Sequence, residues 1–142
     1  MTKTILFPGR FDRPHIGHVI TLQRLAEKYE KVIVVVLGYD NEFYEVTYRY
    51  QVLKECLDRC SGKYEIHIND IDWRNAKHGV TVAECRTFFS KYKFDVYGTG
   101  NHKFLRTAAK AGYDVVYIER AYDYSATDDR TIHLITEVMK SD

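Results

Sequence analysis

Val32-Ile33-Val34-Val35-Val36-Leu37 is an unbroken apolar run, too short for a buried helix and dominated by β-branched residues. A strand with no polar face must be covered on both sides, which is the situation of a central strand in a parallel sheet. Parallel neighbours need helical crossovers, and the rest of the chain supplies them. Strands are predicted at 4–7, 32–37, 64–68, 94–97 and 114–118. Helices are predicted from near Ile16 to Glu30-Lys31, for about a dozen residues after a Thr47 cap, from Thr81 to Tyr92, and over 101–111 before Gly112. Five strands alternating with helices, without repeats or linkers, give one domain over 1–142. The expected fold is α/β, a Rossmann-like doubly wound five-stranded parallel sheet of order 3-2-1-4-5 with helices on both faces.

Composition narrows the partners. A chain of 142 residues with formal net charge +1 carries no field that selects nucleic acid or an anionic membrane, and neither is expected as a partner. It has no apolar stretch long enough to span a bilayer, and Met1-Thr2-Lys3 runs straight into the first strand, so a cytoplasmic location is expected. The 3 cysteines, Cys56, Cys60 and Cys85, read as reduced thiols, with Cys56 and Cys60 as core packing on the second helix. No metal-ligand set stands out. Exposed tyrosines and edge strands make a homo-oligomer reasonable.

Chemistry concentrates where the first strand turns into the first helix, in Phe7-Pro8-Gly9-Arg10-Phe11-Asp12-Arg13-Pro14-His15-Ile16-Gly17-His18. Gly9 permits a turn where a side chain would obstruct a ligand, and Gly17 lets the first helical turn approach a phosphate. His15 and His18 then fall on one side of the helix N-terminus, where unpaired N–H groups and the positive dipole end favour anions.

GRFDRPHIGH resembles the G-x-F-D-x-x-H-x-G-H signature of the HxGH nucleotidylyltransferase superfamily. The resemblance implies transfer of AMP or CMP from ATP or CTP to a small phosphorylated acceptor, with release of pyrophosphate and Mg2+ bridging the nucleotide phosphates. It implies catalytic roles for His15, His18 and Arg130. Phe7, Gly9, Arg10, Phe11 and Gly17 would then border the nucleotide phosphates. Tyr124-Ser125-Ala126-Thr127-Asp128-Asp129-Arg130 is similar to the superfamily's I/Y-S-x-T-x-x-R signature, which adds Tyr124, Ser125 and Thr127. The same residues also read as an ordinary helix cap. Asp129 departs from the usual apolar residue.

Two further segments fit the pattern. Thr47-Tyr48-Arg49-Tyr50-Gln51-Val52-Leu53 resembles a helix start whose arginine faces the phosphates, although Tyr48 replaces the usual glutamate; Arg49 alternatively reads as a solvated surface residue. Gly98-Thr99-Gly100-Asn101-His102 resembles the glycine-rich fourth-strand loop of the nucleotide site, with Gly98, Gly100 and Asn101 as contacts or, for Asn101, a plain N-cap. Asp40 and the segment Asp72-Trp73-Arg74 are expected at the acceptor. Trp73 either stacks on a flat ring there or closes the core. The motifs look most like archaeal-type nicotinamide mononucleotide adenylyltransferases. Phe11-Asp12, and Arg120 ahead of Ser125, look instead like glycerol-3-phosphate cytidylyltransferase. A nucleotide-binding regulatory domain without catalysis is the alternative of another class.

Overall fold

In a computed structural model of the chain, the described residues are 3–11, 16–38, 46–69 and 81–119. They form β1 (Thr4–Gly9), α1 (Ile16–Lys28), β2 (Lys31–Leu37), α2 (Val46–Asp58), β3 (Tyr64–Asn69), α3 (Val82–Phe89), β4 (Val96–Thr99), α4 (His102–Lys110) and β5 (Asp114–Tyr117). The sheet runs β3-β2-β1-β4-β5, and every neighbouring pair is parallel. This is the α/β architecture and strand order that the sequence predicts.

Side-chain alternation explains why helices cover both faces. Ile5, Val32, Val34, Val36 and Val96 pack with Val19, Leu22 and Leu25 of α1 and Val52, Leu53, Cys56 and Leu57 of α2. The residues between them, Leu6, Ile33, Val35, Leu37 and Tyr97, pack on the other face with Cys85 and Phe89 of α3 and Ala108 of α4. Each fully buried aliphatic side chain contributes roughly 1.5–3 kcal/mol, which makes β2, buried from Val32 to Leu37, the best anchored strand. The chain therefore puts α1 and α2 on one face and α3 and α4 on the other. The change of face falls between β1 and β4, which lie side by side.

Element ends differ from the sequence reading in instructive ways. Helix α1 stops at Lys28, and the Tyr29 N–H still reaches the Leu25 carbonyl at 2.9 Å. Thr47 is not the cap of α2: the helix already includes Val46. Thr81 does cap α3, its hydroxyl accepting from the Glu84 N–H at 3.1 Å while the Glu84 carboxylate accepts from the Thr81 N–H at 3.0 Å. That helix ends at Phe89, short of the expected Tyr92. Strand β4 begins two residues later than predicted. Asp95 is used for its carboxylate, which accepts from the Thr4 N–H at 2.8 Å and ties the start of β1, while Phe94 packs on Tyr113 at 5.1 Å between ring centroids.

Cys56 and Cys85 are buried in the core as free thiols, whereas Cys60, expected on the second helix, lies beyond its end at Asp58 and is partly buried. Burial pushes the Cys56 thiol from 9.0 up to about 12, and the Cys85 thiol from 9.0 up to about 11. Unfolded thiols lose their protons near their ordinary value, whereas the folded chain keeps them protonated. Their contribution to stability is therefore whole below about pH 9 and is lost as the pH rises from there to about 11 for Cys85 and about 12 for Cys56. Urea midpoints at pH 8 and pH 10.5 should show this fall. A Cys56→Ala, Cys85→Ala variant should lose much of the pH dependence, and an unchanged slope would contradict the assignment.

Candidate functional site

The site is built at the carboxyl ends of β1 and β4. From this edge α1 leaves on one face of the sheet and α4 on the other, so their N-termini flank the point where the chain changes face. Open α/β sheets bind ligands at such a switch point. The positive ends of two helix dipoles meet in the same region, which suits an anion.

The turn after β1 has an unusual backbone. Phe11 adopts φ 50°, a left-handed conformation rare for a bulky residue, and is the sole non-glycine residue at positive φ among the described residues. Its side chain is nevertheless buried. The ring occupies the space beside Gly9, where a Cβ would come within 2.9 Å of Phe11 Cε2. The glycine at position 9 thus makes room for Phe11, a reason the sequence did not suggest. The same ring meets the imidazole of His18 edge-on, 5.1 Å between centroids and 80° between planes, and lies 6.0 Å from Phe7. His18 is the third residue of α1, half-buried, with Gly17 buried beside it. The Thr21 hydroxyl donates to the Gly17 carbonyl at 2.8 Å inside the same first turns.

Arg49, which its motif implies at the phosphates, is held by the backbone at the ends of two neighbouring strands. It is 0% exposed, and its Nη1 donates to the carbonyl oxygens of Leu37, at 3.0 Å, and of Arg10. It is not a solvated surface arginine. Arg10 itself is exposed.

On the β4 side the glycines answer mainly to packing. Gly98 lies within β4, and a Cβ there would sit 2.8 Å from Ile5 Cδ1. At Gly100 a Cβ would sit 2.9 Å from the carbonyl oxygen of Ile118. The first obstacle is the free end of a side chain and the second is backbone. Gly100→Ala should therefore cost stability on the order of 1–3 kcal/mol, and Gly98→Ala less. Denaturant midpoints test this, and the reverse ranking would contradict the packing account. Asn101 caps α4, its Oδ1 accepting from the N–H groups of Lys103 at 2.9 Å and Phe104 at 3.2 Å, so the capping reading holds.

One feature of this edge escaped the sequence. His102, at the start of α4, stacks on Tyr117, at the end of β5, with ring centroids 4.5 Å apart and planes within 7°. Tyr117 is the exposed large hydrophobic side chain among the described residues. The available signal was the aromatic ending of Asp114-Val115-Val116-Tyr117, which pairs in register with Thr99.

His15, Arg130, Tyr124, Ser125 and Thr127 lie outside the described residues, as do Asp40, Asp72, Trp73 and Arg74. Among the described residues, no group of three or more His, Cys, Asp or Glu side chains could hold a metal ion, and no helix is long and apolar enough to cross a membrane.

Sheet order and change of face together define a doubly wound, Rossmann-like α/β unit. Residues 6–128 match the model of the cytidylyltransferase-like family, and the chain belongs to that family. A curated relative, the phosphopantetheine adenylyltransferase of Natranaerobius thermophilus, is 50% identical over 36 residues, which is 25% of this chain and 22% of that protein. Among solved structures, a bifunctional NMN adenylyltransferase/ADP ribose pyrophosphatase from Francisella tularensis superposes with a TM-score of 0.65 at 13% identity, covering 100% of this chain and 43% of that one. A structure of a protein with the same description and source, complexed with AMP and a Mn ion, gives a TM-score of 0.63 at 16% identity, covering 99% of this chain and 50% of that one. At these identities the structures establish a shared fold. The chain spans half or less of the length of each of these relatives.

Proposed function

We propose that the chain is a nucleotidylyltransferase that moves a nucleoside monophosphate from a nucleoside triphosphate to a phosphate-bearing acceptor and releases pyrophosphate. The observation that carries this reading is the pairing of the α1 and α4 N-termini across the β1/β4 switch point, with His18 in the first turn of α1, in a chain of the cytidylyltransferase-like family. The preferred pair is ATP with nicotinamide mononucleotide. This choice rests on the likeness of the sequence motifs to archaeal-type enzymes, and the similar folds described as NMN adenylyltransferases are in keeping with it.

The chemistry needs no protein nucleophile. An oxygen of the acceptor phosphate attacks the α-phosphorus, the bond from that phosphorus to the α–β bridging oxygen breaks, and the electron pair leaves with pyrophosphate. The protein's contribution is positioning and charge neutralisation. In this reading His18, with His15, donates hydrogen bonds to phosphate oxygens as charge builds. Arg10 and Arg130 add fixed positive charge, and Tyr124, Ser125 and Thr127 border the departing phosphates. Asp40, Asp72, Trp73 and Arg74 are assigned to the acceptor side. A magnesium ion taken up with the nucleotide would supply further positive charge to its phosphates.

A second reading keeps the reaction and changes the pair, to CTP with a small alcohol phosphate such as glycerol 3-phosphate. Phe11-Asp12 and Arg120 favour it. The experiment is a matrix of ATP and CTP, each with magnesium, against nicotinamide mononucleotide, glycerol 3-phosphate, phosphopantetheine, flavin mononucleotide and sugar 1-phosphates, with products identified by mass. NAD from ATP and nicotinamide mononucleotide is the expected product. CDP-glycerol would select the second reading, and nucleotide binding without any product would favour a regulatory domain.

A further inference from the structure

Arg49 stands near the start of α2, where the helix dipole does not favour a cation, and yet it is wholly buried. Its Nη1 donates to the carbonyl oxygens of Leu37 and Arg10, the last residue of β2 and the first residue after β1. These strands are neighbours, with Gly9 opposite Val36. One nitrogen of one guanidinium thus ties together the starts of two loops at the carboxyl edge of the sheet. The next residue, Phe11, is held at φ 50° with its ring against Gly9 on one side and the His18 imidazole on the other. A bulky residue keeps such a backbone only where its surroundings enforce it.

We infer that Arg49 and Phe11 are positioning residues for the nucleotidyl transfer proposed above: Arg49 fixes the backbone of the β1–α1 turn, and the Phe11 ring sets the orientation of His18. The inference rests on that functional reading and departs from the phosphate-contact role that the motifs imply for both side chains. Arg49 acts through the Arg10 carbonyl, and Phe11 through the imidazole it abuts. The Arg49 link to Leu37 also couples the turn to the end of β2. A lysine at position 49 keeps the charge but presents a single, differently placed ammonium in place of a planar fork, so it separates the two roles.

The test compares Arg49→Lys, Arg49→Gln and Phe11→Leu with the wild type by steady-state kinetics, by calorimetric titration with ATP and with CTP, and by amide and imidazole resonances. Positioning predicts that Arg49→Lys and Phe11→Leu each lower kcat by about 10–10²-fold while the nucleotide Kd changes by no more than about threefold. In Arg49→Lys the amide resonances of Phe11 and Gly38, which follow the two tied carbonyls, should move, while those of α3 stay in place. In Phe11→Leu the His18 imidazole resonance should move. The inference is overturned if Arg49→Lys retains wild-type kcat and Kd while Arg49→Gln weakens nucleotide binding by about tenfold or more, because charge alone would then suffice. Unmoved Phe11 and Gly38 amides in Arg49→Lys would also overturn it. If the Arg49 variants do not fold, Phe11→Leu decides by the same kcat, Kd and imidazole criteria. If the wild type forms no product from any pair, the functional reading fails, and the resonances still decide whether Arg49 and Phe11 hold the turn.

Discussion

Replacing His18 by alanine is expected to lower turnover by ~10²–10³-fold, with a smaller effect on affinity for the nucleoside triphosphate. The expectation follows from where the side chain sits. His18 is in the first turn of α1, at the carboxyl end of β1, where helix N–H groups already favour an anion. In the proposed reaction those N–H groups would hold phosphate in the ground state, so the imidazole would not be needed for most of the binding. Its hydrogen bond gains strength as the phosphate oxygens take on charge during transfer, which is the condition for an effect on kcat more than on KM. The residue is also held in place by the edge-on ring of Phe11 at 5.1 Å, and it enters the reaction with little reorientation to make. Steady-state kinetics and calorimetric titration on the same preparation separate the two effects. A variant with near wild-type kcat would remove His18 from the mechanism, and a variant with normal kcat but greatly raised Kd would make it a binding residue only.

The largest effect on stability is expected from Phe89→Ala, at roughly 3–5 kcal/mol. Phe89 closes α3, is 1% exposed, and meets Tyr97 of β4 at 5.5 Å and 70° in an edge-to-face contact. Tyr97 in turn stacks on Tyr113 at 6.3 Å, so the aromatic layer joins α3, β4 and the start of β5. The backbone around Phe89 has little freedom to close a cavity. The Ser90 N–H donates to the Arg86 carbonyl at 3.0 Å, and the Arg86 Nε donates to the Ala111 carbonyl at 3.1 Å, fixing the end of α3 against α4. Urea unfolding should show the loss as a lower midpoint with a similar slope. Because the cavity lies on the α3/α4 face and His18 on α1, the nucleotide Kd of the folded variant should stay close to wild type. A change below about 1 kcal/mol would mean that the site relaxes, against the packing described.

The fold was legible because it depends on patterns that single residues report well. The Val32-to-Leu37 run can be buried only as a central strand, and helical spacing between such runs leaves one economical topology. Gly112, at φ 99°, ends α4 where the sequence places a stop, and Asn101 caps it. What escaped depends on long-range partners. Nothing local in Asp95 says that its carboxylate will take the Thr4 N–H, 91 positions away, so the start of β4 was misread. Nothing local in Arg49 says that its guanidinium will turn to the carbonyls of Arg10 and Leu37. The Phe11 backbone was likewise hidden, because positive φ is ordinarily sought at glycine and asparagine. In the candidate site, motif spacing placed the ends of β1 and β4 two residues early, at Phe7 and Tyr97, whereas the strands run to Gly9 and Thr99. Gly9, Gly98 and Gly100 also each admit a close neighbour, Phe11, Ile5 and Ile118, that the sequence alone could not show. The stacked His102 and Tyr117 pair joins residues 15 positions apart in sequence and needed the sheet to bring them together.

The central claim is nucleotidyl transfer at the β1/β4 switch point, and phosphorus NMR of a reaction with magnesium, nucleoside triphosphate and acceptor tests it most directly. The account predicts one equivalent of pyrophosphate for each nucleotidylated acceptor, with both signals slowed together in His18→Ala. Release of inorganic phosphate and nucleoside diphosphate instead would place the attack at another phosphorus. That result, or tight nucleotide binding with no pyrophosphate from any pair, would contradict it.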